Sequence, residues 1–203
     1  MQVIECPQCG APAAPNARSC THCRSAFVVE NLAYLRGFDR PGIEKYVAHF
    51  KRAAMADSDD GQAAFPLGLC YLGLGNYTLA EKQLKQAVDD RPDFADSYYY
   101  YSLALIKGRP LRTLSLSDVR RVEELLSTAC QLDESKSKYD YLLALIKREY
   151  YRTNGLRVAP PFEMEMIQAA GEKAQEPGEL ERLLSLVPVR DEEMLSVFRS
   201  VAD

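Results

Sequence analysis

Apolar residues recur at helical spacing through residues 61–94, which carry the clearest pattern in the chain. Two runs of apolar positions three and four residues apart predict two helices, and Asn76 lies in the turn between them. Gly68 and Ala80 are small residues at positions where two antiparallel helices would approach each other closely. Pro92 ends the second helix because it has no backbone N–H to donate. The pattern therefore predicts a helical hairpin.

This stretch resembles a tetratricopeptide repeat, whose unit is a hairpin of about 34 residues. The family pattern has a large residue, then Leu-Gly, Tyr, Ala, an aromatic residue and Pro, and only the first and the aromatic position differ here. The corresponding residues are Ala64, Leu67, Gly68, Tyr71, Ala80, Leu84 and Pro92. The resemblance implies stacked hairpins, each of which buries its apolar face against a neighbour.

A second unit follows at residues 95–134, eight residues longer than the pattern. The excess forms a basic insertion at residues 107–121, in which Gly108 and Pro110 break the helix and Ser117 begins the next one. We expect this insertion to project from one edge as a charged loop.

Weaker units flank these two. A third opens at residue 135, and a degenerate one ends in a helix from Gly42 with Tyr46, Phe50 and Ala53 facing inward. Three to four units are enough for a stable stack. The predicted fold is all-α, a TPR-like helical-hairpin solenoid over residues 28–171. Residues 172–203 predict two amphipathic helices, a C-terminal hairpin or capping segment.

Four of the six cysteines lie close together near the start of the chain. They form two CxxC pairs, Cys6 with Cys9 and Cys20 with Cys23, and ten residues separate the pairs. Such spacing is typical of tetrahedral zinc, and four thiolates leave no open position for catalysis. We predict a zinc ribbon at residues 1–27 holding one structural Zn²⁺. His22 is an alternative ligand, although an exposed loop histidine is the favoured interpretation.

Charge and hydropathy argue against two classes of partner. The net charge is −4, and residues 1–29 carry only Glu5, Arg18 and Arg24 as charged residues, whereas phosphate binding needs several cations. Nucleic acid is therefore not favoured as a partner. The sequence contains no apolar stretch of about 18 residues and no export signal. We expect a cytoplasmic protein without membrane insertion.

The residues do not indicate an enzyme. The two histidines, His22 and His49, belong to different predicted modules, and no phosphate-binding glycine motif occurs. The four tyrosines of SYYYYS at residues 97–102 are predicted to serve mainly in packing, with Tyr99 facing the groove of the repeat and Tyr100 a neighbouring helix or solvent.

The remaining prediction is a protein-binding surface. In the family the first helix of each hairpin lines a concave groove, and the corresponding positions here are mainly apolar: Phe65, Leu69, Leu72, Tyr99, Leu103, Ile106, Leu143 and Ile146. Lysines that clamp a carboxylate in the chaperone-binding members have no counterpart at the positions compared. We therefore expect a hydrophobic or amphipathic partner segment rather than an acidic peptide. Arg109 and Arg112 of the basic insertion are expected to meet an acidic partner or the chain's own acidic tail.

The resulting prediction is a non-enzymatic adaptor or scaffold, in which the zinc ribbon is a second contact module. Two alternatives remain open: a nucleic-acid-associated zinc-ribbon protein, tested by salt-dependent retention on nucleic acid, and a thiol-zinc redox sensor, tested by peroxide-driven zinc release. The sequence identifies neither the partner nor the oligomeric state.

Overall fold

The structure, a computed structural model, describes residues 4–14, 17–56, 63–173, 175 and 177–202. The chain forms two compact units, Met1–Asp90 and Arg91–Asp203. In the described residues no helix has both the length and the apolar character needed to cross a membrane.

The first unit combines a small hairpin of strands with four helices. The strands β1 (Ile4–Glu5) and β2 (Pro12–Ala13) are antiparallel, with Ile4 opposite Ala13 and Glu5 opposite Pro12. The elements are β1 (Ile4–Glu5), β2 (Pro12–Ala13), α1 (Leu32–Leu35), α2 (Arg40–Ala56), α3 (Ala64–Gly73) and α4 (Tyr77–Asp90). Asn31 caps α1, since its side chain accepts a hydrogen bond from the N–H of Tyr34 at 2.9 Å.

Helices α3 and α4 pack together at the position where the pattern has its glycine. A Cβ atom added to Gly68 would lie 2.5 Å from Cγ of Leu84, which is itself fully buried. Only glycine allows this approach. Ala80 is also fully buried, as the pattern predicts, whereas Ala53 of α2 is exposed and the expectation that it faces inward is wrong.

We expect Gly68→Ala to destabilise the first unit by about 2 kcal/mol, because the added methyl group must displace Leu84 from a close-packed contact. Gly37→Ala is the matched control, since the nearest atom to its added Cβ, other than its chain neighbours, is 3.8 Å away. Urea unfolding of both variants measures the difference. Equal stabilities for the two variants would contradict the packing argument.

The second unit contains two helical hairpins and two further helices. Its helices are α5 (Ala95–Ile106), α6 (Leu116–Leu132), α7 (Ser137–Ile146), α8 (Glu163–Gly171), α9 (Glu179–Leu186) and α10 (Glu192–Ala202). Helix α5 packs against α6, α7 against α8, α9 against α7, and α10 against α8. A π-helical turn, Lys147–Arg152, continues α7.

The basic insertion is more ordered than the sequence predicts. A 3-10 turn, Leu111–Thr113, follows α5, and both Leu111 and Leu114 are buried. The N-cap of helix α6 is Ser115, two residues before the predicted Ser117, because the side chain of Ser115 accepts a hydrogen bond from the N–H of Asp118. The insertion is therefore anchored to the core of the unit instead of projecting as a loop.

Candidate functional site

The four N-terminal cysteines converge on one point. All four sulfur atoms lie within 4.8 Å of one another. Cys6 Sγ is 3.5 Å from Cys23 Sγ, and Cys9 Sγ is 3.6 Å from Cys20 Sγ. A tetrahedral ion bound at the usual metal–sulfur distance would separate its sulfurs by about 3.8 Å. The cluster therefore has the dimensions of one metal site.

The two CxxC turns share one backbone geometry. Gly10 donates its N–H to the carbonyl oxygen of Cys6 at 2.9 Å, and Arg24 donates to that of Cys20 at 2.9 Å. Both donors have left-handed backbone conformations, with φ values of 72° for Gly10 and 62° for Arg24. The sequence predicts this conformation at Gly10, whereas an arginine gives no such signal. Each turn thereby directs its two thiols to the same side.

Arg24→Gly is expected to stabilise the metal-bound cluster by about 1 kcal/mol, because a side chain with a Cβ atom is strained at positive φ. Gly10→Ala tests the reverse, since it creates the same strain in the other turn. Chelator competition should show metal retention about fivefold stronger for the first variant and about fivefold weaker for the second. Unchanged retention in both variants would contradict the assignment of strain.

The thiols are electrostatically coupled. The hydroxyl and the N–H of Ser25 lower the pKa of Cys23 to about 6. The backbone N–H of Ala11 lowers the pKa of Cys9, but the sulfur of Cys23, burial, and the sulfurs of Cys20 and Cys6 together raise it by more, and its pKa becomes about 12. Four thiolates cannot share this space without a counter-charge, so the donor set fits a divalent cation.

The cluster is attached to the first helices by a small hydrogen-bond network. Tyr34 Oη accepts the N–H of Ala26 at 2.8 Å, Tyr46 donates its hydroxyl to the carbonyl of Ala26 at 2.8 Å, and the two hydroxyls are 2.8 Å apart. Gln8, inside the first CxxC turn, donates to the carbonyl of Gly42 at 2.8 Å. The ribbon and these helices thus belong to the same compact unit, and the predicted boundary at residue 27 stays a prediction.

The predicted groove residues are mostly covered. Seven of the eight are buried in the chain: Phe65, Leu69, Leu72, Tyr99, Leu103, Ile106 and Ile146. Leu143 is half-buried. Phe65, Leu69 and Leu72 belong to the first unit and the other five to the second. Their role in binding stays a prediction, and a partner could reach the buried residues only after whatever covers them moves away.

The arginines of the insertion make intramolecular contacts. Arg109 donates to the carbonyls of Ile106 and Leu105 at 3.2 and 3.4 Å and lies 3.4 Å from a carboxylate oxygen of Asp118. These bonds satisfy carbonyls at the end of α5. Arg112 is half-buried, and its carbonyl accepts a hydrogen bond from Asn154.

A buried polar network connects α5 and α7, which the residue pattern did not predict. Asp96 accepts the hydroxyl of Tyr139 at 2.6 Å and pairs with Lys136 and Lys138, each at 3.1 Å. Lys138 is only 3% exposed. Helical spacing is the sequence signal, since Tyr141, Leu142 and Leu145 follow Lys138 by three, four and seven residues and place it on an apolar face.

The C-terminal segment, residues 177–202, contacts this network and the π-helical turn. Tyr100 donates its hydroxyl to Oε1 of Glu179 at 2.9 Å. Arg148 lies 2.7 Å from Asp191 and 2.9 Å from Glu193. Acidic residues of the tail therefore pair with Arg148, not with Arg109 and Arg112 as the sequence suggested.

Comparison with known proteins identifies the repeats. A family model described as a tetratricopeptide repeat matches residues 47–93 and again residues 65–109. These matches together cover α3, α4 and α5 completely and part of α2. The comparison with curated proteins gave no match.

Several solved structures are similar to this chain. A thermophilic TPR protein of Thermus thermophilus is 17% identical, with 79% of this chain and 73% of that chain covered and a TM-score of 0.50. A crystal structure of MamA is 18% identical, with 85% and 93% covered and a TM-score of 0.50. MamA from residue 41 to its end, from Desulfovibrio magneticus RS-1, is 17% identical, with 83% and 72% covered and a TM-score of 0.48.

Identities this low show the fold alone. The two structures with a TM-score of 0.50 agree with a mostly helical array of TPR type. Together with the family match at residues 47–109 and the hairpins described above, they show a mostly helical TPR-like array that contains tetratricopeptide repeats, with a four-cysteine cluster ahead of them.

Proposed function

We propose that this protein is a non-enzymatic adaptor that binds a partner protein through its helical repeats. The observation that carries the proposal is the pair of repeat matches, because tetratricopeptide repeats are generally protein-interaction modules. Repeat proteins of this kind are usually not catalysts. The proposed partner is a hydrophobic or amphipathic segment. The proposed location of the adaptor itself is the cytoplasm.

The cysteine cluster holds one Zn²⁺ in this proposal. Four sulfur ligands and the tetrahedral dimensions of the site favour zinc, and the closed coordination sphere favours a structural role. The supporting observation is the attachment of the cluster to α1 and α2 through Ala26, Tyr34 and Tyr46. Zinc then fixes a second contact surface next to the first repeat.

The test is chemical crosslinking of the tagged full-length chain in its source cell, followed by mapping of the crosslinked residues. An adaptor should give repeated crosslinks between one partner protein and the helical hairpins. Salt-dependent retention on nucleic acid, without protein crosslinks to the hairpins, would contradict the proposal.

The basic insertion is tested separately. Arg112→Glu should weaken association with an acidic partner more in low salt than in high salt, since screening removes exposed charge interactions. Arg112 is a cleaner probe than Arg109, which also binds the last carbonyls of α5. Arg157→Glu is the charge-matched control, because Arg157 is exposed and lies outside the insertion. If Arg112→Glu leaves the affinity unchanged at both salt concentrations, the insertion is excluded as a contact surface for an acidic partner.

A further inference from the structure

Tyrosine rings of helices α5 and α7 meet in the second unit. The rings of Tyr99 and Tyr139 are 5.6 Å apart, and the hydroxyl of Tyr139 is held by Asp96 at 2.6 Å. Lys138 Nζ lies over the rings of Tyr99, Tyr100 and Tyr139, at 5.3, 5.2 and 5.9 Å from their centroids. We call this surface the tyrosine face.

A carboxylate from the C-terminal segment occupies the tyrosine face. Glu179, in the first turn of α9, is 3% exposed and accepts the hydroxyl of the fully buried Tyr100. Its side chain lines one small cavity together with Lys136, Ser137 and Lys138. Burial and the charge of Glu179 both raise the pKa of Tyr100, so its hydroxyl stays a hydrogen-bond donor.

The charges of this face are complementary to a carboxylate. Lys136 and Lys138 both pair with the carboxylate of Asp96. Glu179 lines the same small cavity as the two lysines, so its carboxylate lies in a positively charged setting and also accepts the hydroxyl of Tyr100. Nearby ammonium groups and a hydroxyl donor both stabilise a carboxylate, so the lining of this face favours an acidic group.

Apolar contacts and an ionic clasp hold the rest of the segment. The ring of Phe198 meets that of Tyr141 edge-on, with 5.5 Å between centroids, and Phe198 is fully buried. Leu183 and Met194 are each 1% exposed. Arg148 binds Asp191 and Glu193 at the start of α10. The segment therefore contacts the second unit as an amphipathic ligand would, with an acidic residue ahead of its apolar anchors.

The two helices of the segment are too short to be stable alone. Helix α9 has eight residues and α10 has eleven. Isolated helices shorter than about 12–15 residues are marginal in water. The segment thus depends on the surface it covers, and a partner helix with the same chemistry can replace it there without disrupting a separate core.

We propose that the C-terminal segment is an internal ligand of the tyrosine face, and that this face binds a partner helix with a carboxylate in its first turn and apolar residues after it. Partner and segment compete for the same site. The inference rests on the proposed adaptor function and specifies its partner. It adds a carboxylate to the amphipathic partner segment proposed above; Lys136 and Lys138 lie outside the positions that were compared with the family.

The probe is a fluorescein-labelled synthetic peptide of residues 177–202. It is titrated against the full-length chain and against a full-length variant, Glu179→Ala with Phe198→Ala, whose own segment is loosened while the tyrosine face is intact. We expect the peptide to bind the variant at least tenfold more tightly, since the internal competitor is weakened. Hydrogen exchange should show α5 to α8 still protected and α9 and α10 exposed.

Matched peptides test the recognition of the carboxylate. A Glu179→Gln peptide should bind the variant about tenfold more weakly, whereas a Glu192→Gln peptide should bind as the parent does, because Glu192 is exposed on α10. If the double variant does not fold, Asp191→Asn with Glu193→Gln loosens the clasp of Arg148 and leaves the apolar anchors in place.

Three outcomes would overturn the proposal. Equal, weak binding to wild type and to a variant with a released segment would exclude a ligand site on this face. Equal binding of the Glu179→Gln peptide would exclude recognition of the carboxylate. Concentration-dependent dimerisation of the loosened variant would assign the site to a second copy of the chain. None of these outcomes decides the adaptor function, because the crosslinking test reads contacts along the whole chain.

Discussion

Removing the metal is expected to unfold the cysteine ribbon while the helices of the second unit stay folded. Among the described residues of the ribbon, the buried apolar core consists of Cys6, Cys20 and Phe27, with three partly buried alanines packed against them. Such a core cannot balance the conformational entropy of the segment. Structural zinc contributes about 10–16 kcal/mol to modules of this size, and that contribution would be lost.

The direct experiment replaces all four cluster cysteines by serine and measures bound metal together with circular dichroism. We expect about one zinc per chain in the wild type and none in the variant, with the helix signal largely retained. Cys130→Ser is the matched control, because burial raises the pKa of Cys130 to about 11 and leaves it a neutral thiol outside the cluster. Stoichiometric zinc in the quadruple variant would show that the ligands are wrong.

Hydrogen exchange should show how far the loss of folded structure extends from the ribbon into the helices. When the ribbon unfolds, Tyr34 and Tyr46 lose their hydrogen bonds to the backbone of Ala26. Amides of α1 and of the first part of α2 should therefore exchange faster. Helices α3 and α4 pack mainly on each other and should change little. Loss of protection throughout the second unit would contradict the independence of the repeats from the metal.

The cysteine cluster and the central hairpin were predictable from the sequence because their signals are local. Two CxxC pairs specify a metal site within 18 residues, and Gly68 marks a close approach that α3 and α4 then show. The cysteine pairs are only a few positions apart, and the close approach at Gly68 lies within one repeat unit. The structure confirms the TPR-like fold and the convergence of the four sulfurs.

Contacts between distant residues were not predictable in the same way. Glu149 accepts the N–H groups of Arg190 and Asp191, and Tyr100 binds Glu179 from 79 positions away. No spacing rule connects such pairs, because they depend on how the tail folds back onto the repeats. Helix starts were also misplaced, since both Ser115 and Ser117 are good caps and only the backbone geometry selects Ser115.

Asp96→Ala is expected to destabilise the second unit by about 3–5 kcal/mol, because it leaves the buried ammonium of Lys138 without its carboxylate. The hydroxyl of Tyr139 loses its acceptor as well. Asp93→Asn is the control, since Asp93 is exposed three residues earlier, and it should change stability by less than about 0.5 kcal/mol.

A compensating variant distinguishes the cost of an uncompensated charge from the cost of lost packing. Asp96→Asn with Lys138→Met removes both charges and keeps similar side-chain volumes, so it should recover most of the stability lost in Asp96→Ala. Urea unfolding of the two variants measures this recovery. If the double variant is as unstable as Asp96→Ala, the cost comes from packing and not from an uncompensated charge.

The same carboxylate should make the second unit sensitive to acid. Burial raises the pKa of Asp96, but Lys138, the hydroxyl of Tyr139 and Lys136 together lower it by a larger amount. Its pKa in the folded chain is therefore below the ordinary value. A lowered pKa contributes stability above the pKa of the unfolded chain, and this contribution is lost as the pH falls through the folded value. The wild type should therefore lose stability below about pH 4, and the Asp96→Asn, Lys138→Met variant should lose less over the same range. Parallel stability profiles for the two chains from neutral pH to about pH 2 would show that other carboxylates control the acid response.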